Sequence, residues 1–131
     1  MKAPNVCLDK SVEFSIAIIK CTERIAKEKN EYVLTKQLLR SGTSVGANVS
    51  ESVYAQSKPD FIHKLSIALK EAKESFYWLK LLHTTGYMNQ SEFENIKSLN
   101  NDLLNLLSKS IRTSKENFTQ ANSPNPKSPR K

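Results

Sequence analysis

Turn-forming residues are scarce. Three glycines occur in 131 residues, and no proline lies between Pro59 and Pro124. An all-β domain needs a turn signal roughly every 8 to 12 residues. This chain therefore reads as all-α. Long apolar runs are missing too: no stretch approaches about eighteen uncharged apolar residues, and Met1 to Asn5 lack the apolar segment of a signal peptide. The expectation is a cytoplasmic protein with no membrane partner. The only cysteines are Cys7 and Cys21. On one helix they would stand about 21 Å apart, and bridgeable Cα atoms lie within about 7 Å, so two free thiols are expected.

The residues of most catalytic sites are also missing. His63 and His83 lie twenty positions apart, about 30 Å on one helix, too far to share a metal or a proton. No Cys/His cluster, phosphate-cradling glycine loop or nucleophile elbow occurs. Lys70, Glu71, Lys73 and Glu74 form the run KEAKE, the pattern of a solvated helix face. We expect no catalytic residue, no metal and no cofactor.

The length suits a single core. Apolar periodicity divides residues 9–114 into four helices, expected to form an antiparallel up-down-up-down four-helix bundle because the connections are short. The first runs from Asp9 to Lys29, with Val12, Ile16, Ile19 and Ile25 assigned inward. The second runs from Tyr32 to Gln56, with Leu34, Leu38, Val45, Val49 and Val53 on one face. The third opens at Ser57 with Pro59 and Asp60 in its first turn, where a missing donor is harmless and an acid suits the dipole. It carries Phe61, Leu65, Ala68, Ala72, Phe76 and Leu79 inward and stops at Gly86. The fourth starts from a capping box of Ser91 and Glu94 and carries Ile96, Leu99, Leu103, Leu106, Leu107 and Ile111 to Ser114. Residues 1–8 read as a flexible N-terminus, and 115–131 as a disordered, basic tail rich in Pro, Ser and Asn.

The second helix is unusual in its middle, where Ser41, Gly42, Ser44, Gly46 and Ala47 leave it almost bare. Each glycine costs roughly 1 kcal/mol relative to alanine. Close packing must offset that, either inside one bundle or at a subunit interface. Arg40, Asn48 and Glu51 sit on the same helix. Arg40 and Glu51 are about 16 Å apart along it, so each needs a partner elsewhere. For Arg40 the alternatives are a phosphate or carboxylate across a subunit boundary, or an ion pair with Glu71 or Glu74. Trp78 and Tyr77 point about 100° apart, so one faces the core and the other a boundary.

The net charge is +7. Residues 115–131 hold four basic side chains against one acid, which leaves +4 on residues 1–114. That is an ordinary excess for a soluble surface. Two basic stripes are nevertheless visible, Lys20, Arg24 and Lys27 on the first helix and Lys70, Lys73, Tyr77 and Lys80 on the third. A basic stripe with an aromatic can grip phosphate and stack a base. Five assembled copies would gather about +20 on their bodies, enough for a usable field.

The runs QLLRSGTSVGANVSE (Gln37–Glu51), KPDFIHKLSIALKEAKESFYWLKLL (Lys58–Leu82) and Gly86-Tyr87-Met88 resemble a family of small bacterial four-helix bundle proteins. These are related to proteins encoded in intervening sequences of 23S rRNA genes, often labelled ribosomal proteins, and to the accessory variability protein of diversity-generating retroelements. The likeness spans Val12 to Arg112. It implies a homopentameric barrel and, in the retroelement branch, binding to a reverse transcriptase and to nucleic acid. The expected function is thus a non-enzymatic oligomeric adaptor or scaffold binding RNA, DNA or a reverse transcriptase-like protein. The alternative is a scaffold for proteins alone.

Overall fold

A computed structural model describes residues 3–122. Four helices, and no strand, occur among the described residues: α1 (Ala3–Lys29), α2 (Leu34–Ser52), α3 (Lys58–Thr84) and α4 (Gln90–Ala121).

Local chemistry sets the boundaries. Asn30 follows α1 with φ of 55°, a left-handed conformation that asparagine tolerates. The residue before α2 is Val33, which has no capping side chain. Glu31 takes that role, its carboxylate accepting the backbone N–H groups of Val33 (3.1 Å), Leu34 (2.8 Å) and Thr35 (2.9 Å). Burial alone would raise the Glu31 pKa; the three N–H bonds, with the Thr35 hydroxyl, outweigh it and hold the carboxyl below its ordinary value of 4.5. Ser57 caps α3 by accepting from the Asp60 N–H at 3.2 Å. Gly86, with φ of 90°, turns the chain after α3, and the Tyr87 N–H reaches back to the Leu82 carbonyl at 2.9 Å.

Several boundaries differ from the sequence reading. The cap of α4 is Asn89, which accepts from the Glu92 N–H at 2.8 Å, rather than a Ser91–Glu94 box. Ser91 falls inside the helix because Asn89 has the better cap chemistry two residues earlier, and Glu94 instead accepts from the Gln90 amide. Helix α1 begins at Ala3, so residues 3–8 are helical rather than a flexible lead, and Cys7 is buried. Helix α2 stops at Ser52, short of Gln56. Helix α4 continues past Ser114 to Ala121, taking in the first part of the expected tail. Residues 1–2 and 123–131 lie outside the described residues.

Each helix packs on its neighbour in sequence, and α1 meets α4 to close the ring. Helices α1 and α3 bring no Cα atoms within 8 Å of each other, nor do α2 and α4, so these pairs are diagonal. The core holds Phe14, Ile18 and Ile25 from α1, Leu38, Val45 and Val49 from α2, Leu65, Leu79 and Leu82 from α3, and Leu103 and Leu107 from α4. Burial of each such side chain contributes about 1.5–3 kcal/mol.

The inward face of α1 is not the one read from the sequence. Val12, Ile16 and Ile19 are 48%, 48% and 45% exposed; of the four residues assigned inward, only Ile25 is buried. The buried set is Cys7, Ser11, Phe14, Ile18, Cys21 and Ile25, with Thr22 beside them; apart from Thr22 it alternates four- and three-residue steps, which keeps a straight seam. Ile25 stands six residues beyond Ile19, about 240° around the helix, so it could not share a face with the others. Cysteine and serine inside the true seam made it look weaker than the all-aliphatic stripe beside it.

Polar groups also enter the core. Asn100 is fully buried and donates its amide N–H to the Ala72 carbonyl at 3.0 Å, while its own Oδ1 has no partner. The Ser75 hydroxyl lies 2.9 Å from both the Ser41 hydroxyl and the Glu71 carbonyl.

Candidate interaction surfaces

The bare middle of α2 is explained within the chain. A Cβ built on Gly42 would lie 3.0 Å from two side-chain carbons of Ile18, and one on Gly46 would lie 3.3 Å from the Ser11 hydroxyl and 3.4 Å from that of Ser15. The two glycines thus admit α1 close against α2. Asn48 bonds locally, its amide donating to the Ser44 carbonyl at 2.8 Å.

Arg40 and Glu51 each find a partner on α3. Arg40 reaches Glu71 at 3.3 Å and also bonds Glu74, and Glu51 accepts from Lys64 at 2.8 Å. Glu74 in turn accepts the Trp78 indole N–H at 2.9 Å. Trp78 is the half-buried member of its aromatic pair; Tyr77 is 54% exposed and meets it edge-on with centroids 4.9 Å apart. Arg40 thus has carboxylate partners on α3 of its own chain.

The basic stripes fare differently. Arg24 pairs with Glu28 at 3.2 Å and with Glu92 of α4, which removes the middle of the α1 stripe and leaves Lys20 and Lys27 apart. On α3, Lys70, Lys73, Tyr77 and Lys80 are all exposed, at spacings of three, four and three. None of these lysines has a carboxylate within 4.0 Å among the described residues. Because α1 and α3 are diagonal, the two stripes occupy separate corners and cannot grip one phosphate backbone together.

The surface that sequence reading missed is apolar. Val12, Ile16 and Ile19 of α1 stand outside, and Leu39 of α2 and Tyr32 of the connection extend the patch. Between the helices is an open groove of about 400 Å³ whose walls include Ile19, Ala26, Tyr32 and Leu39. The signal was present as a second apolar stripe on α1, one more than a four-helix core uses.

Both cysteines are free and buried. Burial, reinforced by Glu92 and only partly offset by Arg24, pushes the Cys21 thiol up to about 12, so it stays protonated and poorly nucleophilic. Among the described residues no group of three or more His, Cys, Asp or Glu side chains could hold a metal, and no helix is long and apolar enough to cross a membrane.

A ring of four helices with its polar side chains engaged in seam ion pairs, and with one apolar and one cationic surface left over, defines a helical bundle. The chain belongs to the 23S rRNA-intervening sequence protein family, whose model matches residues 5–109. A crystal structure of a protein of unknown function from the S23 ribosomal protein family of Bacteroides thetaiotaomicron VPI-5482 is 45% identical, with a TM-score of 0.82. That match covers 84% of this chain and 98% of the other. None of the curated proteins compared with the chain matches it.

Proposed function

We propose that this protein is a non-enzymatic cytoplasmic scaffold: an antiparallel up-down-up-down bundle that self-associates through the outer face of α1 and α2 and presents its α3 lysines to RNA or DNA, or to a nucleic-acid enzyme such as a reverse transcriptase. The antiparallel arrangement is supported by the α2–α3 pairs: from Arg40 with Glu74 to Glu51 with Lys64, α2 advances while α3 runs back.

The observation that carries the reading is the stripe of Val12, Ile16 and Ile19. Three branched aliphatic side chains, each about half exposed on one helix beside an apolar groove, are the composition of an interface centre. When such a face meets a different face of the next copy, a ring forms if the rotation between copies closes. A homopentameric barrel is the form we favour, because it would repeat the unpaired Lys70, Lys73, Tyr77 and Lys80 stripe five times on one assembly. The loss of Arg24 to ion pairs weakens the α1 stripe and gives some support to the second reading, a scaffold for proteins alone.

Light scattering tests assembly first. Wild type at micromolar concentration should run as an oligomer and Ile16→Glu as a folded monomer; a monomeric wild type rejects the proposal. Anisotropy titrations with structured RNA and duplex DNA then separate the two readings. Binding through several phosphates should weaken about a thousandfold between 50 and 200 mM salt. Salt-tolerant capture of a protein, with no affinity for nucleic acid, would favour the second.

A further inference from the structure

At the end of the bundle where α1 and α3 begin and α4 runs out is a cavity of about 440 Å³, whose lining shares no residue with the apolar groove or with the stripe of Lys70, Lys73 and Lys80. Its size falls within the roughly 300–1,000 Å³ usual for small-molecule sites. The apolar part is made by Val6 on α1, Phe61 on α3 and Leu106 on α4, with the Cys7 side chain beside them. Lys58 and Lys109 stand among the lining residues, and no acidic side chain does. The Lys58 ammonium lies 5.6 Å from the centre of the Phe61 ring, above the apolar wall. Neither lysine has a carboxylate within 4.0 Å among the described residues, whereas Lys10, Arg24, Arg40 and Lys64 are all paired.

We infer that this cavity binds an amphipathic carboxylate, an acyl chain whose apolar body lies against Val6, Phe61 and Leu106 and whose carboxylate meets the Lys58 and Lys109 ammonium groups. An apolar chain gains from leaving water. A headgroup of negative sign finds two cations without ion-pair partners among the lining residues and no acidic side chain there. Cys7 does not disturb that balance: burial raises its pKa despite the Ser110 hydroxyl 3.9 Å away, so the thiol adds no negative charge. A cationic amphiphile with the same tail would meet two like charges and should be refused.

Calorimetric titration of the full-length protein with sodium decanoate, and with decyltrimethylammonium as the matched cation, tests this below the micelle threshold of each. Decanoate should bind saturably, at least about tenfold more tightly than the cation, and Lys58→Glu with Lys109→Glu should remove that preference. Neither lysine has an ion-pair partner and Lys58 loses its contact with the Phe61 ring, so the double variant should melt within a few degrees of wild type. Ser110→Phe, which fills the cavity without changing charge, should weaken decanoate by a similar factor. Ile16→Glu, on the other apolar surface, should leave decanoate binding intact, which keeps this site independent of assembly. The inference is overturned by absence of decanoate binding, by equal affinity for the two headgroups, by binding that neither the charge reversal nor Ser110→Phe changes, or by loss of binding in Ile16→Glu.

Discussion

Helix α1 carries two apolar stripes that met different fates. One, running through Cys7, Phe14, Ile18, Cys21 and Ile25, is buried; the other, Val12, Ile16 and Ile19, is half in water. By side-chain hydrophobicity alone the second is the better core. Geometry decided against it. The buried stripe keeps heptad-like spacing over the length of the helix and meets glycines on α2 that leave room for Ile18 and for the hydroxyls of Ser11 and Ser15. Apolar content says that a surface wants to be covered, and the shape of the neighbour says which surface is covered by the same chain.

The comparison can be broken most forcefully at Phe14. Phe14→Ala should cost about 3–5 kcal/mol in chemical denaturation, the usual toll of truncating a buried aromatic. Ile16→Ala on the other stripe should cost the isolated bundle no more than about 0.5 kcal/mol, and any further loss should grow with protein concentration, as linkage to assembly requires. Equal costs at both positions would mean that the stripes are not distinct.

Gly42→Val sharpens the geometric half of the argument. Its new side chain would begin 3.0 Å from a fully buried Ile18, and overpacking of this kind costs about 1–3 kcal/mol. A variant as stable as wild type would show that α1 and α2 can move apart freely, and the reason given for the choice of stripe would fall.

A smaller effect tests the connection that joins the two helices. Glu31→Gln should lower stability by about 1 kcal/mol at neutral pH, since a carboxylate bonded to three helix N–H groups is lost. The sign follows from its lowered pKa: the contribution is present above the ordinary carboxyl value of 4.5 and disappears as pH falls through the lower folded value. Urea midpoints of the two proteins should therefore differ at pH 7 and converge well below pH 4.

The four helices, the α3 cap at Ser57 and the turn at Gly86 were legible because each depends on nearby residues. The caps at Glu31 and Asn89 were not. Glutamate two residues ahead of the N-cap position is no standard signal, and Ser91 offered a familiar pattern close to Asn89. The orientation of α1 failed for another reason. Two stripes competed on one helix, and choosing between them needs the glycines on its neighbour to be set against both. Among the candidate site residues, Arg40 and Glu51 are recognisable as needing distant partners, and Glu28 is within one turn of Arg24, but the second partner of Arg24, Glu92, lies 68 residues away. Ion pairs between helices are invisible to spacing rules along a single one.

Three of the four helix seams join neighbours in sequence, and only α1 with α4 closes the ring across the length of the chain. As the protein emerges from the ribosome, α1, α2 and α3 can pair as each is completed, with little loop entropy to overcome. The α1–α4 seam, with the Arg24–Glu92 pair that fastens it, must wait until α4 is made. Until then the inner stripe of α1 is covered on its α2 side only, and a nascent chain exposes the remainder beside the outer stripe.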